Sequence, residues 1–309
     1  MNIGIIGLGK MGGNISIRLI RNKYKCYIYD KNIKNIKKIE EKGGKGVKSL
    51  KNLVLKLKNP RTIWLMLPAG EITEKVIIKI IKYMENGDTL IDGSNGYFKN
   101  DIIRSEKLFI KGINYIDVGV SGGIWGLKRG YCMMIGGNKK IFEKNNNIFY
   151  VLSPKNKKNK GYMYCGKIGS GHFVKMIHNG IEYGMMQSYS EGFNFMKNFN
   201  KKNVSYKNRY NLNLYYISST WRIGSVISSW LLDLISISLA NDIKLNEFNG
   251  KVNDSGEARW IVKTALEESI PLEVLTTSLY IRFRSRIKKK FGEKLLSAMR
   301  KQFGGHLEN

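Results

Sequence analysis

Between Gly169 and Gly192 the chain reads GSGHFVKMIHNGIEYGMMQSYSEG, which places Lys175, His178, Asn179, Glu182 and Tyr183 at offsets of three, four, seven and eight. At 3.6 residues per turn these five side chains fall on one face of a helix. They supply an ammonium, an imidazole, a carboxamide, a carboxylate and a phenol, so a base, an acid and several hydrogen-bonding groups stand together. A wet helix face usually repeats Lys and Glu in interchangeable order. This mixture suits a polar ligand better than water. Phe173, Val174, Met176, Ile177 and Ile181 fill the rest of the segment, which predicts a helix buried on much of its circumference. Polar groups buried in that way need partners.

A second constellation stands at the N-terminus. The apolar run Asn2 to Ile6 ends in Gly7-Leu8-Gly9-Lys10-Met11-Gly12, after which Ile15, Leu19 and Ile20 recur at helical spacing. Strand, glycine turn and helix in that order make an anion site: Gly7 permits the turn, Gly9 lets backbone approach a pyrophosphate, and Gly12 allows close helix packing. The next strand, Lys25 to Tyr29, ends in Asp30, placed to accept from ribose hydroxyls. Its charge opposes an extra phosphate, which favours NAD, while Lys31 and Lys34 leave NADP open. Asp30 could equally be a helix N-cap.

The elements that must hold these groups alternate through the first half. Strands are expected at Thr62–Leu67, Thr89–Asp92 and Tyr115–Val118, with helices at Glu71–Met84 and Lys99–Lys111. Such alternation predicts a parallel, doubly wound sheet whose ligands bind at the carboxyl ends of the strands. Three loops would ring that crevice: Leu67-Pro68-Ala69-Gly70, Asp92-Gly93-Ser94-Asn95-Gly96 and Val120-Ser121-Gly122-Gly123. Beyond the striped segment strand signals nearly vanish, and helices are expected over Trp221–Ala240, Ala258–Ser269 and Leu272–Arg286. The fold class is therefore α/β: a Rossmann-like domain over residues 1–168, then an all-helical domain over 169–309. A cleft between domains is a favoured ligand site.

At 309 residues the chain has room for two cores. Its formal net charge of +29 raises the question of nucleic acid, but the basic residues are spread along the chain beside abundant Asn and Ile. No concentrated basic face or recognition module is legible, so no specific nucleic-acid partner is expected. No apolar run approaches the roughly 20 residues that cross a bilayer. A soluble cytoplasmic protein without a signal peptide is expected. Cys26, Cys132 and Cys165 are scattered and odd in number, implying neither a disulfide framework nor a zinc site.

Longer runs then carry a family likeness. GLGKMGGN at Gly7, DGSNGYF at Asp92, VSGGIWGLKRGYCMMIGG at Val120 and GHFVKMIHNGIEYGMMQ at Gly171 resemble the shorter branch of the 6-phosphogluconate dehydrogenases. WRIGSVISSWLLDL at Trp221, DSGEARW at Asp254, LYIRFRSR at Leu279 and FGGH at Phe303 extend the resemblance to the end. It implies oxidative decarboxylation of 6-phospho-D-gluconate, a phosphorylated sugar acid, to D-ribulose 5-phosphate and CO2 with reduction of NAD or NADP and no metal. By position, Lys175 matches the family's catalytic lysine and Glu182 its acid. Ser121, Gly122, Gly123, His178 and Asn179 match its substrate-positioning set, and Asn95 the residue shared by cofactor and substrate. Tyr183, Arg259, Arg300 and His306 fall where the family grips phosphate, the last two from a neighbouring subunit of a homodimer or homotetramer; in the RFRSR run Arg282 is the choice for the same task, with Arg284 and Arg286 as alternatives. Gly7, Leu8, Gly9, Lys10, Met11, Gly12, Asp30, Leu67, Pro68 and Ala69 would hold the cofactor. Gly96, Asn100 and Arg259 depart from the commoner serine, aspartate and lysine. The nearest rival is a β-hydroxyacid dehydrogenase acting on a non-phosphorylated acid, and a more distant one is a nucleic-acid-binding or structural protein that kept only the fold.

Overall fold

The computed structural model describes residues 1–154, 160–201, 205–288 and 291–304. His306 lies outside the described residues. The chain forms two compact units, residues 1–178 and 179–309.

The first unit is built from β1 (Asn2–Ile6), α1 (Lys10–Arg21), β2 (Lys25–Tyr29), α2 (Ile33–Glu40), β3 (Lys45–Gly46), α3 (Leu50–Leu55), β4 (Thr62–Leu65) and α4 (Glu71–Ile80). There follow β5 (Thr89–Asp92), α5 (Phe98–Phe109), β6 (Asn114–Ser121), α6 (Gly126–Arg129), β7 (Cys132–Gly137), α7 (Lys139–Leu152) and β8 (Tyr162–Gly166). The sheet order is β3-β2-β1-β4-β5-β6-β7-β8. Neighbours run parallel except β6 and β7, which pair antiparallel from Ile116↔Gly137 to Ser121↔Cys132. The expected parallel, doubly wound sheet is present, with one antiparallel pair where the short connection through α6 returns the chain beside the strand it left. Successive residues enter opposite cores: Trp64 and Ile91 join one, and Ile63, Leu65 and Leu90 the other.

The stretch from β7 to β8 carried no expected element. Its helix, α7, reads KKIFEKNNNIFYVL, and the central Asn run hides the periodicity. Asn138 caps it by accepting from Lys140 and Ile141. Buried Asn145 is satisfied by donating to the Ile141 carbonyl at 2.9 Å and accepting from Thr62 at 3.3 Å.

α8 (Ser170–Asn198) is one continuous helix that begins in the first unit and ends in the second. Its apolar side is less covered than its composition suggests: Phe173, Val174 and Ile181 are all exposed, Ile181 at 51%. The expected burial is found on the side of His172, Lys175, Met176, Asn179 and Tyr183 and is missing on the side of Phe173, Val174 and Ile181. The second unit continues with α9 (Leu214–Trp221), α10 (Trp230–Asn241), α11 (Glu257–Glu267), α12 (Glu273–Ser285) and α13 (Phe291–Gly304). The helix expected over Trp221–Ala240 begins only at Trp230: Trp221 is the last residue of α9, Gly224 adopts φ +80° in the break that follows, and Ser229 caps α10 by accepting from Leu232. Among the described residues no helix is long and apolar enough to cross a membrane.

Candidate active site

The glycine turn lies between β1 and α1. Gly7 has φ +91°, and a Cβ there would overlap the Met66 carbonyl, while one on Gly12 would overlap Gly7 itself. Those two glycines are demanded by the fold. Gly9 is not, since a Cβ on it would meet nothing within 4 Å. The bare position at the start of α1 leaves an open approach to helix N–H groups, the space that a dinucleotide's pyrophosphate fits. Asp30 is fixed beside it: Oδ2 accepts from Leu8 N at 2.6 Å and Oδ1 from Asn32 N at 2.7 Å. The N-cap of α2 is Asn32, whose side chain accepts from Lys34 N, so Asp30 is not that cap. Pro68 and Ala69 follow β4 as exposed residues, with Leu67 half-buried, and Asn95 is exposed in the loop after β5.

α8 sits directly against the sheet backbone. A Cβ on Gly119 of β6 would overlap the Cβ of Lys175, and one on Gly171 would come within 2.5–2.7 Å of backbone atoms of Met134, Gly136 and Asp117. Only glycine at both positions lets the first turns of α8 approach so closely. Asp117 then fastens the helix start, its Oδ1 accepting from Gly169 N at 2.7 Å and its Oδ2 from His172 N at 2.9 Å. Burial raises the Asp117 carboxyl above its ordinary range, and the nearby His172 opposes that rise.

This seat delivers Lys175, which is 8% exposed, beside His178. Lys175 Nζ lies 3.4 Å from His178 Nδ1, and Ser121 Oγ at the end of β6 lies 3.3 Å from His178 Nε2. A neutral imidazole donates from one nitrogen and accepts at the other. A charged Lys175 donating to Nδ1 therefore sets the tautomer in which Nε2–H donates to Ser121. When Lys175 gives up a proton that preference is released, so the ring can follow the protonation of the lysine. Gly122 and Gly123 continue the same loop, Gly123 exposed.

Three residues before Lys175, His172 is fully buried and was not anticipated as part of the site. Its Nδ1 lies 2.7 Å from Asp101 Oδ2. Asp101 also accepts from Tyr115, which with Arg104 reaches Asp92 beneath the loop of Asn95. Burial by itself would lower the His172 pKa, but Asp101 and the further carboxylates Asp92 and Asp117 outweigh it and lift it to about 9. Asp101, Asp117 and His172 present possible ligand atoms within 4.8 Å of one another. Their hydrogen bonds to one another and to backbone make them a brace that joins α5, β6 and α8.

The second unit orients the other half of the stripe. Buried Asn179 donates to Glu257 Oε1 at 2.8 Å. Tyr183 OH accepts from Ser255 N and meets Ser255 Oγ, both at 3.1 Å. Arg282 lies over the Tyr183 ring at 3.5 Å and donates to the Asn253 carbonyl at 2.8 Å. Arg259 pairs with Asp254, and Glu182 is half-buried on α8. Arg300 is exposed on α13. Glu257 and Asp254 escaped the sequence reading, although both lie in the DSGEARW run that supplied Arg259.

With this geometry in view, comparison with known proteins is decisive for the family. Residues 2–164 match the NAD binding domain of 6-phosphogluconate dehydrogenase, and residues 171–205 and 201–308 match the 6-phosphogluconate dehydrogenase C-terminal domain. The chain belongs to the 6-phosphogluconate dehydrogenase family. It is 37% identical over 306 residues to the Bacillus subtilis protein named "Putative 6-phosphogluconate dehydrogenase YqeC", covering 99% of this chain and 98% of that one. It is 31% identical over 307 residues to the NAD(+)-dependent, decarboxylating 6-phosphogluconate dehydrogenase of Haloferax volcanii, with the same coverages. The solved Plasmodium falciparum 6-phosphogluconate dehydrogenase superposes with a TM-score of 0.83 at 29% identity, covering 100% of this chain and 66% of that longer one. A Mycobacterium tuberculosis 3-hydroxyisobutyrate dehydrogenase shares the fold at TM-score 0.72 and 16% identity, covering 92% of each chain.

Proposed function

We propose that this chain catalyses the oxidative decarboxylation of 6-phospho-D-gluconate to D-ribulose 5-phosphate and CO2 with reduction of NAD or NADP. The observation that carries the reading is the Ser121–His178–Lys175 chain of contacts, at 3.3 and 3.4 Å, on a family member's sheet. The nicotinamide, when bound, supplies the hydride acceptor. Lys175 takes the proton of the substrate's C3 hydroxyl as that carbon loses hydride. The resulting 3-keto acid loses CO2 because the bond's electron pair passes into the neighbouring ketone, whose oxygen the protonated Lys175 hydrogen-bonds as the enediol forms. Glu182 then delivers a proton to the enediol carbon. Ser121, Gly122, Gly123, His178, Asn179 and Asn95 hold the sugar acid, and Tyr183, Arg259 and Arg282 its phosphate.

Asp30 supports NAD over NADP, since its carboxylate is held at the glycine turn where an added phosphate would meet it. The exposed apolar side of α8 supports assembly of two or more copies. One steady-state experiment tests the reading: 6-phosphogluconate and 3-hydroxyisobutyrate are each offered with NAD and with NADP. Preferred turnover of 6-phosphogluconate with NAD is expected, and preferred turnover of 3-hydroxyisobutyrate overturns the substrate assignment.

A further inference from the structure

In the helical unit two arginines share one carboxylate. Asp254, 5% exposed at its side chain, accepts from Arg259 Nε at 2.7 Å and Nη2 at 3.0 Å, and from Arg286 Nη1 at 3.0 Å. Both guanidinium groups also face the ring of Phe283, at 4.5 and 5.2 Å. Arg282, one turn before Arg286, is the group that covers Tyr183. Arg284 lies between them in sequence, on another side of α12, and is exposed.

A single guanidinium is enough to pair a carboxylate in the two-pronged geometry that Arg259 adopts. Arg286 is therefore surplus to the neutralisation of Asp254. Counting Arg259, Arg282 and Arg286 against Asp254 leaves two positive charges within a small volume, and like charges so placed repel. The arrangement calls for an anion. Nη1 of Arg259 and both Nε and Nη2 of Arg286 are not engaged by Asp254, and the two side chains remain 54% and 29% exposed. A phosphate monoester carries about −1.5 to −2 charges at neutral pH and three acceptor oxygens, which matches that surplus in charge and in donors.

We propose that Arg286 is a further ligand of the substrate phosphate, and that Asp254 is the positioning residue that aligns Arg286 with Arg259 to receive it. The proposal deepens the reading of a phosphorylated substrate and rests on it. Asp254 itself does not approach the phosphate, because guanidinium groups cover both of its oxygens. It spends part of their charge to fix their direction.

Calorimetric titration of the full-length protein with 6-phosphogluconate and with gluconate, without cofactor, tests this. Arg286→Ala is expected to weaken 6-phosphogluconate binding about 10- to 100-fold, the range for one charged hydrogen-bonding partner, and to leave gluconate binding unchanged. Arg284→Ala removes the same charge from the exposed neighbour and is expected to change neither. Asp254→Asn should raise the KM for 6-phosphogluconate more than it lowers kcat, with partial rescue by Asp254→Glu. Equal losses in Arg286→Ala and Arg284→Ala would reduce the effect to bulk charge and overturn the proposal, as would unchanged affinity in Arg286→Ala. If Arg286→Ala does not fold, Arg286→Lys replaces it: recovery of the fold with weakened phosphate binding supports the role, and wild-type binding refutes it. If the unaltered protein binds neither sugar acid, the substrate reading fails, and inorganic phosphate then probes the cluster alone. A phosphate affinity lost in Arg286→Ala but kept in Arg284→Ala retains the arginine site, and no difference between them removes it.

Discussion

Lys175 in the sheet unit and Arg259 in the helical unit are both cations proposed to act on the substrate, yet Lys175 is 8% exposed while the Arg259 side chain is 54% exposed. The lysine belongs to the sheet unit, where a glycine seat and the His172 brace leave its backbone no room to move. The arginine belongs to the helical unit, where a carboxylate aims it but water surrounds much of its length. In the role proposed for Lys175 a proton must be taken from one atom along one line, and close packing, which is stiff, suits that task. A phosphate has several equivalent oxygens and a diffuse charge. It tolerates donors placed by electrostatics, which reach further and yield more.

The largest test of that contrast is chemical. Lys175→Met keeps the stem that fills the seat and removes the nitrogen. Turnover is expected to fall by about 10²- to 10⁴-fold or more, the range for a general base, with cofactor affinity unchanged in a fluorescence titration. Near-normal turnover would mean that the buried cation serves packing and that another group takes the proton.

The second test moves the base without altering it. Gly119→Ala adds one methyl group in the seat, where it overlaps the Lys175 Cβ, so α8 must shift outward. A displacement of about 1 Å can cost on the order of 100-fold in rate, and overpacking about 1 to 3 kcal/mol in stability. Rate constants and thermal midpoints report the two effects together. If rate is kept while stability falls, close packing is not what positions the lysine, and the contrast between the units loses its basis.

These glycines also show what was legible in the chain and what was not. The strap of polar residues on α8 follows from spacing alone, because offsets of three, four, seven and eight fix a helix face before any tertiary contact exists. The turn at Gly7 is equally local. The antiparallel β7, by contrast, is defined by pairing with β6, a contact that its own CMMIGG does not announce. The brace of Asp101, Asp117 and His172 draws on three separate segments, so no local pattern marks it. Gly119 and Gly171 look like ordinary turn formers until the helix is seen lying on them. The division of the arginines was also hidden: RFRSR offers three in five positions, and only the path of α12 sends Arg282 to Tyr183, Arg286 to Asp254 and Arg284 to solvent. The exposure of Phe173, Val174 and Ile181 is a different kind of miss, since composition shows that a face is apolar but not whether the same chain covers it.

The smallest expected effect separates the units by pH. His172 is lifted from an ordinary 6.5 to about 9, burial being outweighed by Asp101 and its neighbours. A raised pKa means that the folded protein holds the proton more tightly, so this stabilisation is complete below about pH 6.5 and is lost as pH climbs through 9. Asp254 moves the other way, from 3.8 to about 2, chiefly because Arg259 hydrogen-bonds the carboxylate, with Arg286 adding to it. Its contribution is present above about pH 4 and disappears as pH falls through 2. His172→Gln should therefore flatten the alkaline loss of thermal stability, and Asp254→Asn the acid loss, each leaving the other limb as in the unaltered protein. The acid effect should be the weaker, on the order of 2 to 4 °C in midpoint or less, because water screens the exposed Arg259. Salt separates the two further: raising ionic strength should shrink the Asp254 limb while the buried His172 limb persists, since a dry ion pair is screened much less than a wet one. If both limbs respond to salt alike, the brace is not dry, and the distinction between a packed base and an electrostatically held phosphate site fails at its foundation.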